Sequence, residues 1–335
     1  MEEVRIGFIS CGGNARGHMG RLGEMEGARI VAVCDVEEER AREAGEVTGG
    51  EAYADFRRML ERDDLDAAYL SLPVFAHGRL EQAVVERGLP FLVEKPVARH
   101  LETALEIEEA VGEAGLITCV GYQLRYSGAV DIARETLSTQ TISLVVGKYW
   151  SGSGRGDANR WVRQFDRSGG QLVEQATHTI DLMRYLAGEV VEVSGSQASR
   201  QLHDIDCPDV HCVTFEFESG ALGSLTTVWS YDPLDWSHTN VVEVLYGQCL
   251  LQLSRDTVVI KERQEVVEDG ETREKMEQRE QTVSGPNIDE IFVEAVRRKD
   301  GAAIRSDYSD GVKTLAVCLA ALESGQTRNR VYLTP

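Results

Sequence analysis

The sequence predicts an α/β protein in two parts: an N-terminal doubly wound parallel sheet, then an α+β part with a large, mostly antiparallel, open-faced sheet. Three observations carry this reading. Residues 1–122 alternate short apolar runs with helical stretches and hold little else. Those runs are apolar at nearly every position, as strands covered on both faces must be. From Val190 onward the chain is mostly strands joined by hairpin signals, a rhythm foreign to a parallel α/β sheet.

In chain order, Val4–Ile9, Arg29–Cys34, Ala67–Leu72, Phe91–Val93 and Leu116–Val120 read as strands. Between them Ala15–Met25, Glu37–Val47, Asp55–Arg62, His77–Arg87 and Leu101–Ala114 read as helices. In the fourth, Leu80, Ala83, Val84 and Arg87 take the spacing of one helical stripe. After Tyr122 come a helix over Ser127–Leu137, a strand ending near Trp150, a Gly/Arg-rich loop and a helix over Gln175–Leu186. "VHCVTFEFESGALGSLTTVWS" is a pair of strands joined at Ser219-Gly220, and "HTNVVEVLYG", "CLLQLS" and "TVVIKER" continue the meander. Lys261–Gln281, mostly charged or Gln, reads as a solvated edge strand and loop. Two helices, Asn287–Arg298 and Asp307–Leu322, finish the chain. The expected domains are residues 1–122 and 123–335, with the last helices packing back on the first.

Composition excludes several classes. At 335 residues, 42% hydrophobic and 27% charged, the chain is globular rather than disordered. A formal net charge of -21 argues against a nucleic-acid partner. No apolar run reaches the ~18 residues that a membrane span needs. Glu2 and Glu3 lead directly into a strand, unlike a signal peptide. The seven cysteines are odd in number and scattered, as reduced thiols are, so the expected location is the cytoplasm.

The turn after the first strand reads Ser10-Cys11-Gly12-Gly13-Asn14-Ala15. A dinucleotide fingerprint needs glycine where the chain turns sharply and where backbone meets pyrophosphate, then a small residue where helix packs on strand. Gly12 and Ala15 take the second and third places and Ser10 the first; Gly13 and Asn14 open the helix beneath the phosphates. The second strand ends in Asp35, 20 residues after Ala15, where a carboxylate accepts ribose hydroxyls and repels a 2′-phosphate. Glu37, Glu38 and Glu39 add to that repulsion. A Rossmann fold binding NAD, in preference to NADP, is therefore expected.

Glu94-Lys95-Pro96 closes the strand Phe91–Val93, at the edge where doubly wound sheets hold ligands. A lysine there can reach the nicotinamide ribose and a substrate hydroxyl. Glu174 and His178 stand four residues apart, which on a helix gives them one shared face. Together with "AHGRLEQAVVERGLPFLVEKPVA", "VGYQLRYSGAV", "SGGQLVEQATHTIDLMRYLAGEV" and "IRSDYSDGVKTLAVCLAALES", these stretches resemble the Gfo/Idh/MocA family over nearly the whole chain.

That resemblance implies an NAD(P)-dependent oxidoreductase acting on CH–OH groups of a sugar, polyol or related cyclic compound. In it Lys95 orients the substrate hydroxyl and nicotinamide, His178 is the general acid/base, and Glu174 holds either His178 or a neighbouring hydroxyl. It also implies cofactor contacts from Pro73, His77, Glu94 and Lys95. Three positions depart from the family pattern: Ser10 for glycine, Val74 for Asn, and Glu174 for Asp.

Tyr122 and Arg125 are expected to line the substrate cleft, with Trp150, Trp161 and Arg163 from the Gly/Arg-rich loop region stacking on a ring or gripping oxygens. Arg155, Arg160 and Arg167 share that loop. His203, Cys207, His211 and Cys212 are of zinc-ligand type, but His211 and Cys212 adjoin on a strand and point to opposite faces, so no metal site is expected. Cys11 reads as a packing residue. The open sheet face predicts a homodimer or homotetramer. The rival readings are a silent NAD-binding sensor and a reductase of a non-sugar carbonyl compound.

Overall fold

The structure, a computed structural model, describes residues 3–157, 159–232, 240–268 and 271–334. The chain forms two compact units, Met1–Gln123 with Asn287–Leu315, and Leu124–Pro286 with Ala316–Pro335.

The first unit runs β1 (Val4–Ile9), α1 (Gly13–Gly23), β2 (Ala28–Cys34), α2 (Glu38–Thr48), β3 (Glu51–Tyr53), α3 (Phe56–Leu60), β4 (Ala67–Leu70), α4 (Arg79–Glu86), β5 (Phe91–Val93), α5 (Leu101–Ala114) and β6 (Thr118–Val120). The strand order is β3-β2-β1-β4-β5-β6 and every pairing is parallel, the order of a doubly wound nucleotide-binding sheet. Val4, Ile6, Phe8, Ala67 to Leu70 and Phe91 to Val93 are wholly buried, which is why these strands read as unbroken apolar runs.

Several expectations need correction. Strand β4 stops at Leu70 and β6 begins at Thr118, so both are shorter than expected. β3 was not expected at all; its pattern of two exposed residues and one half-buried leaves no apolar signal. The expected helix His77–Arg87 begins only at Arg79, because Gly78 takes a φ of 115° that breaks the helix before it. Its buried face is Glu81, Val84 and Val85 instead of the Leu80, Ala83, Val84, Arg87 stripe. The carboxylate of Glu81 accepts the Gly78 N–H and turns that face inward, while Arg87 reaches out to the carbonyls of Leu60 and Arg62.

The second unit starts with α6 (Gly128–Leu137), capped by Ser127 Oγ, which accepts the Ala129 N–H. It continues through β7 (Ile142–Trp150), α7 (Phe165–Ser168), α8 (Gly170–Glu174), α9 (Thr177–Ala187), β8 (Val190–Ala198), β9 (Val210–Phe217), β10 (Leu222–Val228), β11 (Asn240–Tyr246), β12 (Cys249–Ser254), β13 (Thr257–Glu268) and β14 (Glu271–Thr282). Helix α10 (Ile288–Arg298) returns to the first unit, where Phe292 packs edge-on against Tyr69 at 5.4 Å. Helix α11 (Tyr308–Thr327) and β15 (Val331–Tyr332) end the chain.

The second sheet has nine strands in the order β14-β13-β12-β11-β7-β10-β9-β8-β15. Among the described residues only β7 and β10 pair in parallel; the other pairings are antiparallel. The β9–β10 hairpin turns at Gly220, φ 83°, as Ser219-Gly220 predicts. The predicted solvated loop within Lys261–Gln281 is instead a hairpin of two twelve-residue strands, β13 and β14, in continuous register. Its cross-strand ion pairs lie on diagonals, Arg263 with Glu274 and Arg279 with Glu262, on a largely charged surface, so composition alone imitates a loop. The first two residues of the expected strand "HTNVVEVLYG" lie outside the described residues, as does Ala158 of the Gly/Arg-rich loop.

Side chains alternate along β9: His211, Val213, Phe215 and Phe217 are buried, and Cys212, Thr214 and Glu216 are exposed. Helix α9 lies directly on the covered face at Gly147, where a Cβ would stand 2.8 Å from both Met183 Sδ and Thr179 Cγ2. Only glycine permits that approach.

Candidate active site

In the first unit, the turn after β1 is held open by its backbone. Ser10, in the place of the usual first glycine, takes the left-handed φ of 77° that explains the family's glycine there. Its N–H donates to the Cys34 carbonyl, and the Cys11 N–H donates to Asp35 Oδ2 at 2.9 Å. The other Asp35 oxygen accepts the Glu37 N–H at 3.0 Å. Arg40 Nη1 lies 3.6 Å from Oδ1, while Oδ2 keeps a second lone pair with which Asp35 can accept a hydroxyl. A Cβ on Gly13 would meet nothing within 4 Å, and no side chain caps α1 or places an acid in its first turn. The first N–H groups of α1 therefore form an uncapped, uncrowded anion cradle. Ala15 is wholly buried and seats the helix on the sheet. Cys11 is buried as well, and burial followed by the Asp35 charge pushes its thiol up to about 12, consistent with packing.

Pro73 sits in extended backbone before a single 3₁₀ turn, Val74–Ala76. His77, expected as a cofactor contact, has a side chain with no exposure, its Nδ1 2.6 Å from Glu81 Oε1. The side chain of Glu94 is also turned inward. It is 3% exposed, its Oε1 3.2 Å from His18 Nε2. Lys95, next in sequence, is half-buried and opens a cis Lys95–Pro96 turn.

His18 is a residue the sequence reading missed. Its ring is 1% exposed, with Nδ1 2.5 Å from Asp289 Oδ1, and Arg21 Nε donates to the second Asp289 oxygen at 2.6 Å. Burial alone would lower the imidazole pKa, but the bonds to Asp289 and Glu94 outweigh it and push it up to about 9. A signal existed: Ala15, His18, Met19 and Leu22 form the buried stripe of α1, with a histidine among apolar residues.

In the second unit, Glu174 and His178 do not share one helix. Glu174 ends α8 and His178 belongs to α9; Gln175 between them has φ -124° and ψ -52°. The four-residue spacing therefore does not give them a common helical face. The break has a cause in packing. Gln175 Oε1 accepts both the Ser151 hydroxyl and the Trp229 Nε1–H, each at 2.9 Å, which pulls this residue out of helical register. Gln171 donates to the Val228 carbonyl at 2.9 Å, fixing α8 to the ends of β7 and β10. Tyr149, also unforeseen, is near Glu174: burial, then the Glu174 charge, pushes its phenol upward.

Tyr122 is wholly buried. Arg125 does not present an open fork, because its guanidinium makes a bidentate pair with Asp181 at 2.8 Å while stacking on Tyr185. Arg163 is likewise structural, donating to the Gly156 carbonyl at 2.6 Å and pairing with Asp204 at 2.5 Å. Trp150 donates Nε1–H to Thr226 and meets Tyr231 edge-on at 6.3 Å. Trp161 packs on a cluster of Val162, Leu202, Cys207 and Trp229. His211 and Cys212 face opposite sides of the sheet as expected; burial lowers His211 to about 4. Among the described residues no three His, Cys, Asp or Glu side chains are grouped to hold a metal ion.

Sheet order, open turn and strand-end carboxylate define the first unit as a Rossmann fold of the dinucleotide-binding type. The chain belongs to the Gfo/Idh/MocA family: residues 4–122 match its "Oxidoreductase family, NAD-binding Rossmann fold" model and residues 139–244 its "C-terminal domain" model. It is 29% identical over 225 residues to the scyllo-inositol 2-dehydrogenase (NAD(+)) of Bacillus subtilis (strain 168), covering 62% of this chain and 64% of that one. This span is under two thirds of that relative's length. It is 28% identical to the myo-inositol 2-dehydrogenase of Thermotoga maritima over 68% of this chain and 71% of the relative. A levoglucosan dehydrogenase solved in complex with NADH superposes with a TM-score of 0.84 at 20% identity, over 99% of each chain. That last likeness concerns the fold.

Proposed function

We propose that this protein is an NAD-dependent dehydrogenase moving a hydride between nicotinamide and the CH–OH or keto carbon of a sugar, polyol or related cyclic compound. Residues 1–122 serve the cofactor, and residues 123–335 serve the substrate and oligomer formation. The observation that carries the reading is the uncapped α1 turn tied to Asp35, the arrangement an NAD-specific site requires. The relatives named for inositol dehydrogenation support the substrate class.

Bound NAD supplies the hydride acceptor. The remaining work belongs to the chain. Amides at the start of α1 hold the pyrophosphate, and the free lone pair of Asp35 Oδ2 accepts a ribose hydroxyl. Lys95, a cation, stabilises alkoxide-like charge as the substrate loses its proton. His178 takes that proton, a task suited to an imidazole near neutral pH. Glu174, one methylene longer than the usual aspartate, orients His178 or binds an adjacent hydroxyl. Because Arg125 and Arg163 are already paired, the proposed substrate is a neutral polyol rather than a carboxylate.

The test is absorbance of NADH formed from NAD with myo-inositol, scyllo-inositol, levoglucosan and simple aldoses. Turnover on at least one supports the reading. NAD binding without turnover on any sugar or polyol in either direction would favour a silent sensor.

A further inference from the structure

The Lys95 turn is not an isolated loop. The Lys95 N–H donates to Glu94 Oε2 at 3.3 Å, while Glu94 Oε1 faces His18 Nε2 at 3.2 Å. His18 in turn meets Asp289, a residue 271 positions later in sequence, at 2.5 Å. These three side chains are 0–3% exposed. Gly121 makes room for the arrangement: a Cβ there would stand 2.8 Å from Glu94 Oε2. Three segments remote in sequence thus converge, namely the helix that begins at the phosphate turn, the lysine-bearing turn and α10.

A buried carboxylate without a partner would be strongly unfavourable, and a neutral histidine could donate to only one of the two acids. Protonated, the ring donates to both, Nδ1–H to Asp289 and Nε2–H to Glu94. The other groups facing it are Arg21, which bonds Asp289 and lies 3.0 Å from Nδ1, and Tyr69, whose ring meets it edge-on at 5.5 Å. Arg21 offsets one charge of Asp289, leaving His18 as the group that neutralises Glu94.

We infer that His18 and Asp289 are positioning residues: through Glu94 they clamp the Lys95 turn to α1, so that the lysine is held in fixed relation to the helix beneath the cofactor phosphates. The functional part of this inference rests on the role proposed for Lys95. A displacement of about 1 Å at a reacting group costs about 100-fold in rate, which is the scale on which such a clamp matters.

The clamp is tested by hydrogen exchange, read by mass spectrometry over residues 94–99 and corrected for intrinsic rates, with NADH titrations by calorimetry. In the wild type, protection of this turn should fall about tenfold or more between pH 7 and 9.5 as His18 loses its proton, while β1 and β2 keep theirs. In His18→Gln the protection should already be low at pH 7 and show no such pH dependence. Gly121→Ala, which displaces Glu94 without touching His18, should give the same local loss and serves as the readout should His18→Gln fail to fold. On any active substrate, kcat should fall about 10- to 100-fold while the NADH Kd moves less than about threefold. Unchanged protection at the turn, or a loss spread evenly over β1 to β6, would overturn the clamp. Lys95→Ala, run alongside, separates the two claims: near-normal turnover there removes the proposed role of the lysine and leaves the clamp standing.

Discussion

The Cys11 N–H and the Asp35 carboxylate meet at 2.9 Å, joining the turn after β1 to the end of β2. One residue thereby shapes the turn and presents a carboxylate at the end of β2, where the proposed function needs an acceptor for the ribose hydroxyls. Asp35 is 5% exposed and spends one lone pair on each of two backbone amides.

NAD should accordingly bind at least ~10-fold tighter than NADP, about 1.4 kcal/mol or more. Asp35→Ser should narrow that gap and also lower the melting temperature, because two backbone donors lose their acceptor. Calorimetric titration with both dinucleotides checks the first effect and thermal unfolding the second. Equal wild-type affinities would remove Asp35 as the selector.

Asp209 should matter more to stability than its loop position suggests. It has no exposure, and its carboxylate accepts the N–H groups of Arg200, Gln201 and Leu202 at 2.7–3.0 Å. Burial would raise its pKa, but these three bonds hold it below the ordinary aspartate value. A depressed folded pKa contributes stability above the unfolded value of ~3.9 that is lost as pH falls through the folded value. Asp209→Ala should destabilise by about 1–3 kcal/mol at neutral pH, and its deficit should shrink in acid. Urea unfolding at pH 7 and pH 3 measures both; an unchanged midpoint at pH 7 would mean the loop is satisfied by water instead.

Oligomer formation should use the uncovered face of the nine-stranded sheet. Leu222, Leu144, Leu245 and Leu250 stand in register across four adjacent strands, with Leu222 and Leu245 52% and 39% exposed. Such an apolar row needs cover, which a second copy would supply isologously. Sedimentation should show a dimer or tetramer at micromolar concentration, and Leu144→Asp should shift it toward monomer. A wild-type monomer would contradict this.

What the sequence made legible, and what it hid, follows from the range of the interactions. Runs such as Phe91–Val93 are apolar because a parallel sheet buries both faces, so they mark themselves locally. The phosphate turn is local too, and Ser10 at φ 77° shows that position, more than residue type, made it recognisable. The inward pairing of Glu94 was hidden because its partner His18 lies 76 residues away and no local pattern announces it. The break at Gln175 was hidden for a similar reason: it depends on Trp229 and Ser151, and "VEQATHTIDL" by itself is an acceptable helix. Arg125 and Arg163 looked like free forks until Asp181 and Asp204 came into view. The start of β13 shows itself through the buried Val258 and Ile260, but β14 is almost wholly charged or polar and offers pattern reading nothing to hold.

The central claim is that Lys95 and His178 serve one hydride-transfer reaction, and turnover of their variants on the best sugar or polyol tests it most directly. Lys95→Ala should lower kcat by at least ~100-fold with NAD affinity nearly unchanged, as loss of an electrostatic stabiliser does. His178→Ala should lower it by about 10²–10⁴-fold and remove the near-neutral limb of the pH–rate profile. A Lys95→Ala enzyme with near-normal turnover and an intact pH profile in His178→Ala would contradict the account, leaving Glu94-Lys95-Pro96 as a structural turn.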